Sequence, residues 1–181
     1  MQATNLIDKC KRGDSSAQRA FLEKYTPLLY NVALRYAIDR SQAKDILQDS
    51  WIRIFNGLEK YKDEGKLEAW LTRIVINVAY RKFSSKEMKQ AVYTDTFFDT
   101  AVEQPAILSE LHYDDLLRLV NQLPDICREV FKMAVIDDLK HKEIAEIMKI
   151  KESTSRAHLT RAKKKLRELI QDYDKVEYYG E

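Results

Sequence analysis

Arg156, Thr160, Arg161 and Lys164, with Thr154 two residues before Arg156, share a segment with Leu159, Ala162, Leu166, Leu169 and Ile170. The apolar set recurs at steps of three and four, so the segment reads as a helix with a buried stripe, and the polar set projects from the opposite side. Just upstream, Glu143-Ile-Ala-Glu-Ile-Met forms a shorter helical pattern, with the small Ala145 where two helices must cross closely. A short helix, a tight connection and a strongly basic second helix constitute a helix-turn-helix pattern. Such a second helix fits the major groove, where guanidinium and hydroxyl groups meet base edges and phosphates. Thr154, Arg156, Thr160, Arg161 and Lys164 are therefore candidate DNA contacts.

A second set lies in Asp45-Ile-Leu-Gln-Asp-Ser-Trp-Ile-Arg-Ile-Phe. Asp45, Gln48, Asp49 and Ile52 fall at i, i+3, i+4 and i+7, on one helical face. Nearly opposite run Ala43, Leu47, Ser50, Ile54 and Leu58, thickened by Ile46, Trp51 and Phe55, as the expected core stripe. Two carboxylates, an amide and an exposed branched apolar residue suit a protein-docking patch. The acids complement a basic partner and Ile52 anchors it. A plain solvated helix face is the alternative.

A third set spans Lys66 to Phe83. Leu67, Leu71, Ile74, Val75 and Val78 form its core stripe, while Lys66, Trp70, Arg73, Asn77 and Arg81 share another face with Tyr80 at its edge. Cations that track phosphates, rings that stack on bases and an amide that reads a base edge are what single-stranded nucleic acid requires. The alternative sinks Trp70 and Tyr80 into the core and leaves an ordinary charged face.

The elements that must position these sets are all helical. Four Gly and three Pro in 181 residues disfavour a turn-rich sheet, and Leu, Ile, Ala, Lys and Glu favour helices. Helices are expected near 3–12, 15–25, 27–38, 41–56 and 67–83, with Asp14 and Ser41 as caps, Gly13 as a separator, Pro27 at a helix start and Gly57 just past a helix end. Periodicity fails from 84 to about 109, then helices resume near 109–122 and 124–136, with Pro124 at a first helical position, before the helix-turn-helix. The expectation is an all-α chain of two small helical domains, 1–88 and 109–175, joined by a linker over 89–108, with a frayed tail from Tyr173.

Charge is partitioned more than its net +2 suggests: residues 140–167 hold ten Lys/Arg against three Asp/Glu, and residues 90–117 hold six Asp/Glu and no Lys/Arg. Basic and acidic segments then have different jobs. Cys10 and Cys127 are isolated and read as reduced thiols; His112, His141 and His158 have no metal-ligand spacing, so no metal or other cofactor is expected. The expected chain has no leader and no membrane-length apolar run, hence no membrane insertion and a cytoplasmic location.

No phosphate-binding Gly-rich loop with Lys-Ser/Thr is present, so the chain has no nucleotide-driven motor and reads as a non-enzyme. Separating DNA strands costs roughly 1.4 kcal/mol per base-pair step, and each stacked base returns about 1–3 kcal/mol. One or two captured bases nucleate an opening but do not hold a bubble, so a larger partner must supply the rest. A plain DNA-binding regulator explains the helix-turn-helix equally well, but leaves the Asp45–Asp49 and Trp70–Arg81 faces without a shared purpose. A recombinase would need a mixed α/β catalytic domain, and no strand-like alternation supports one.

Asp45-Ile-Leu-Gln-Asp, Trp70-Leu-Thr-Arg-Ile-Val-Ile-Asn, Leu123-Pro and Ser153-Thr-Ser-Arg-Ala-His-Leu-Thr-Arg-Ala-Lys resemble, in that order, the bacterial sigma-70 family, above all its extracytoplasmic-function group. The resemblance covers about residues 5–170. It implies sigma-2 and sigma-4 domains that bind core RNA polymerase and recognise the −10 and −35 promoter elements. By position, Asp45, Gln48 and Asp49 match the polymerase-docking motif, the loop 61–68 matches the segment that captures an unpaired base, and Arg73 and Asn77 match the helix lining that site. Arg156, Thr160 and Arg161 match positions that enter the −35 groove. The resemblance also implies that the acidic linker threads the polymerase's basic channel, and that an anti-sigma factor is a further partner. Lys149 replaces the Gly common in the turn, Ser153 and Ser155 replace a Gly and an apolar β-branched residue, and His158 replaces an Arg. These departures bear on the −35 base preference.

Overall fold

The computed structural model describes residues 2–62, 67–83 and 113–178, and the expected linker over 89–108 lies outside them. The backbone divides into two units, Met1–Ala91 and Val92–Glu181. Every regular element among the described residues is helical.

The first unit contains α1 (Gln2–Lys11), α2 (Ser15–Tyr36), α3 (Arg40–Leu58) and α4 (Leu67–Phe83). Gly13 turns the chain at φ +80°, a region open to glycine without steric cost. The Asp14 carboxylate then accepts from the Ala17 N–H at 3.0 Å and caps α2, satisfying one of the donors that a helix start leaves unpaired. The helix expected to begin at Pro27 does not: α2 runs unbroken through it. An interior proline removes one backbone bond and costs about 3 kcal/mol. Here Phe21, Tyr25, Leu29, Val32, Ala33 and Tyr36 are buried on both sides of the exposed Pro27, and burial at roughly 1.5–3 kcal/mol per large side chain outweighs that cost.

The cap of α3 is likewise Asp39 rather than Ser41. Its carboxylate accepts from the Gln42 N–H at 2.7 Å, and the Gln42 side chain accepts from the Ile38 N–H at 2.7 Å. The helix extends to Leu58, so Gly57 lies in its last turn rather than beyond it. A Cβ there would stand 3.3 Å from Cζ2 of Trp70, so glycine admits the indole close to the helix.

Helices α2, α3 and α4 pack on one another, and α1 packs on α2 and α3. The α3 core stripe is Ala43, Ile46, Ser50, Ile54 and Leu58; Leu47, Trp51 and Phe55, expected in the core, are only half-buried. In α4 the buried set is Leu71, Val75, Ile76, Val78 and Ala79, with Ile74 half-buried. Packing against two helices buries more than the one face that periodicity marks.

The second unit contains α5 (Tyr113–Asn121), α6 (Asp125–Phe131), α7 (His141–Met148) and α8 (Glu152–Tyr178). Pro124 caps α6 from outside rather than serving as its first residue, and α6 runs on as one wide π turn, Lys132–Ile136. The Arg128 guanidinium donates to the carbonyls of Asn121 and Leu123 at 3.1 and 3.3 Å and to Asp125 at 2.8 Å, closing the end of α5. Leu119, Val120, Leu123, Cys127, Phe131, Ala162 and Leu166 form the core, with Leu159, Leu169 and Ile170 packed at its margin. The stripe predicted for the basic helix is therefore the one buried. That helix continues to Tyr178, where a frayed tail was expected from Tyr173.

Candidate functional site

In the first unit Asp45 and Gln48 are exposed, and Ile52 leaves 57% of its surface in solvent. Beside them opens a groove of about 420 Å³ lined by Leu22 from α2 and by Lys44, Leu47, Gln48, Trp51, Ile52 and Phe55 from α3. Trp51 and Phe55 stack with ring centroids 5.8 Å apart, and both meet Phe21 edge-on or tilted at 6.0 and 6.2 Å. Helical periodicity assigns these rings to the core. They instead form the apolar floor beside the acidic stripe, because Phe21 supports them from beneath and nothing covers them from above among the described residues. The i, i+4 spacing of Leu47, Trp51 and Phe55, one step from Gln48 and Ile52, was the available signal.

Asp49 is not a bare acid. Its carboxylate accepts from the Lys82 ammonium of α4 at 2.8 Å, both side chains being partly exposed. An exposed pair of this kind is worth little to stability, and a cationic partner can exchange with Lys82.

On α4, Arg81 is exposed, while Trp70, Arg73, Asn77 and Tyr80 are half-buried; Lys66 and the loop residues 63–65 lie outside the described residues. Trp70 packs on Tyr61 with ring centroids 4.9 Å apart and lies over Gly57. Its indole thus holds the end of α3 and the start of the loop, an arrangement between the two alternatives that its sequence position left open. The Asn77 carbonyl oxygen is buried without a hydrogen-bond partner.

In the second unit Arg156, Thr160, Arg161 and Lys164 are all exposed on α8, and Thr154 is half-buried. Arg156 pairs with Glu152 one turn earlier, and the Thr160 hydroxyl donates back to the Arg156 carbonyl at 3.1 Å. The turn is closed by Lys149 at φ 54°, with its own N–H and that of Ile150 (3.1 Å) directed to the Ala145 carbonyl. The left-handed conformation that favours Gly is thus present, occupied by Lys. At the other end of α7 the Glu143 carboxylate accepts from the Lys140 N–H at 2.9 Å, which is half of a capping box, since a lysine side chain cannot accept.

Two contacts of this unit have no counterpart in the sequence reasoning. His158, standing where the resemblance makes Arg common, brings Nδ1 within 3.7 Å of the Cys127 sulfur on α6. Burial raises the Cys127 thiol pKa, and the Arg161 charge pulls the other way. Ser155 is fully buried, and its hydroxyl lies 2.9 Å from Nδ1 of His141.

Family comparison agrees with this geometry unit by unit. Residues 21–88 match the sigma-70 region 2 family and residues 113–166 match sigma-70 region 4. The extracytoplasmic-function (ECF) RNA polymerase sigma factor SigW of Bacillus subtilis is 24% identical over 95% of this chain and 98% of its own length. SigM of the same organism, also an ECF sigma factor, is 28% identical over 81% of this chain and 91% of its own. Among solved structures, the sigma factor RpoE of Bartonella quintana, in complex with the anti-sigma factor NepR, shares the fold at a TM-score of 0.56, with 21% identity over 84% of this chain and 96% of that one. CnrH bound to the cytosolic domain of CnrY shares it at 0.54, with 17% identity over 92% and 96%. Two helical units in this order, each matching its own region, place the chain in the sigma-70 family, within the extracytoplasmic-function group, as a promoter-recognising transcription initiation factor rather than an enzyme.

Proposed function

We propose that the two units divide the work of promoter recognition. The first docks core RNA polymerase through Asp45, Gln48, Asp49 and Ile52, and engages the −10 element through the α4 face of Trp70, Arg73, Asn77 and Arg81, with Lys66 of the preceding loop. The second reads the −35 element through Thr154, Arg156, Thr160, Arg161 and Lys164. The observation that carries the docking assignment is the groove: an apolar floor of Leu47, Trp51 and Phe55 edged by Gln48 and the exposed Ile52, with the exposed Asp45 on the same helix, suits the apolar face of an amphipathic helical partner. The α4 face that sets the half-buried Trp70, Arg73 and Asn77 beside the exposed Arg81 supports base capture, since cations, a ring and an amide share one surface.

Captured bases return about 1–3 kcal/mol each against roughly 1.4 kcal/mol per opened step, so the chain nucleates strand separation and the polymerase sustains it. Among the described residues no helix is long and apolar enough to cross a membrane, and a cytoplasmic site of action follows from the transcriptional role. Two solved structures that share the fold carry bound partners, described as an anti-sigma factor in one and a cytosolic domain in the other. An anti-sigma factor that covers the Ile52 groove is the corresponding expectation for this chain.

The test is transcription in vitro from fragmented genomic DNA with core polymerase, with and without the purified chain. Discrete start sites that require the chain support the assignment. Binding to DNA without any change in initiation would return it to a plain regulator.

A further inference from the structure

Ser155 and His141 do something that outward-facing contacts do not. The recognition helix α8 enters through a turn without glycine, and its first turns carry the residues assigned to the −35 element. Ser155 sits immediately before Arg156, fully buried, where the resemblance leads one to expect an apolar β-branched side chain. A buried hydroxyl without a partner is costly. Its partner is the imidazole of His141, the first residue of α7, at 2.9 Å. This bond crosses from the start of one helix to the start of the other and spans the whole left-handed connection at Lys149.

We propose that His141 is a positioning residue for −35 recognition: its bond to Ser155 sets the rotation of α8 on α7, and so the direction in which Thr154, Arg156 and Thr160 leave the helix. This rests on the assignment of α8 to the −35 element. The charges that act on the ring, those of Arg156, Glu152 and Lys163, are on α8. Burial and the Arg156 charge lower the imidazole pKa, so the ring is neutral at pH 7 and carries one N–H and one acceptor nitrogen. Either tautomer bonds the serine. Arg156 reads a base edge only when its fork lies in plane with the acceptors, so a small rotation of α8 removes discrimination while leaving phosphate attraction in place.

The chemistry offers a clean discrimination among variants. Asparagine places an amide atom where Nδ1 of histidine stands, glutamine places one where Nε2 stands, and phenylalanine fills the ring volume without a hydrogen bond. Full-length holoenzyme carrying His141→Asn, His141→Gln, His141→Phe, Ser155→Ala or the His141→Phe/Ser155→Ala pair is titrated onto two duplexes. One is the −35 duplex that wild-type holoenzyme selects from a randomised library; the other is the same duplex scrambled. The readout is the ratio of the two Kd values, because misfolding of a fraction of the protein weakens both equally and leaves the ratio unmoved.

The expected result is a ratio reduced about 3- to 10-fold in the Gln, Phe and Ala variants, the size set by one bond to a buried hydroxyl. His141→Asn retains the wild-type ratio, and the pair is no worse than either of its single changes. A wild-type ratio in His141→Phe or Ser155→Ala overturns the inference, as does an Asn variant as impaired as the Phe variant. If wild-type holoenzyme selects no −35 duplex at all, the assignment of α8 itself falls, an outcome distinct from the others.

Discussion

Replacing Ile52 with Ala tests the docking groove with little disturbance of the fold. Full burial of an isoleucine side chain is worth about 1.5–3 kcal/mol relative to exposure. With 57% of its surface still in water, a partner that covers the groove recovers about 1–1.5 kcal/mol of that, and alanine retains only a small share. The loss on docking is therefore about 1 kcal/mol, or roughly fivefold in Kd. The same substitution removes little that the free fold uses, so unfolding free energy stays within about 0.5 kcal/mol. Ile52→Asp goes further, since it sets an unpaired carboxylate against the partner, and a loss of more than tenfold follows. Fluorescence-anisotropy competition for core polymerase gives the affinities, and thermal melting of the free chain gives the stability. Unchanged affinity in both variants refutes the groove as the docking surface. An affinity loss that merely tracks a fall in melting temperature refutes it as well.

Asn77→Ala should slow promoter opening, measured by permanganate footprinting, while holoenzyme assembly is unchanged; equal loss in both assays would remove Asn77 from base capture. Lys149→Gly should raise the unfolding free energy of the second unit by about 1 kcal/mol, because a left-handed residue with a side chain is strained at φ 54°, and a denaturant midpoint that falls instead would show that the lysine stem contributes packing. Acid should weaken the second unit through His141. Its folded pKa lies below the ordinary value of 6.5, chiefly through burial and then the Arg156 charge, so the unfolded chain binds the proton more readily between the two values. This contribution is complete above about pH 6.5 and is lost as pH falls through 6.5 towards the folded pKa. Denaturant titrations from pH 7.5 to 5 should show that loss in the wild type and a shallower one in His141→Asn; parallel slopes would assign the effect elsewhere.

Much of this was legible in the residues. The Leu159, Ala162 and Leu166 stripe, the outward Arg156, Thr160, Arg161 and Lys164, the exposed Ile52 and the bounds of α4 follow from helical period and the two-way sorting of apolar and charged side chains, both local properties of the chain. The continuity of α2 through Pro27 was not legible, because the deciding term is burial on both sides of the proline against helices distant in sequence. The Trp51 and Phe55 floor escaped for a related reason: periodicity says that a face is apolar, whereas only the packing of α2 and α4 decides how much of that face remains uncovered. The ion pair of Asp49 with Lys82 and the bond of His141 to Ser155 join residues 33 and 14 positions apart. No spacing rule links such residues, since their proximity is a product of how the helices cross. Sequence alone thus determined which faces exist and what chemistry they carry, and the tertiary fold decided which of those faces stay open and which side chains hold them in register.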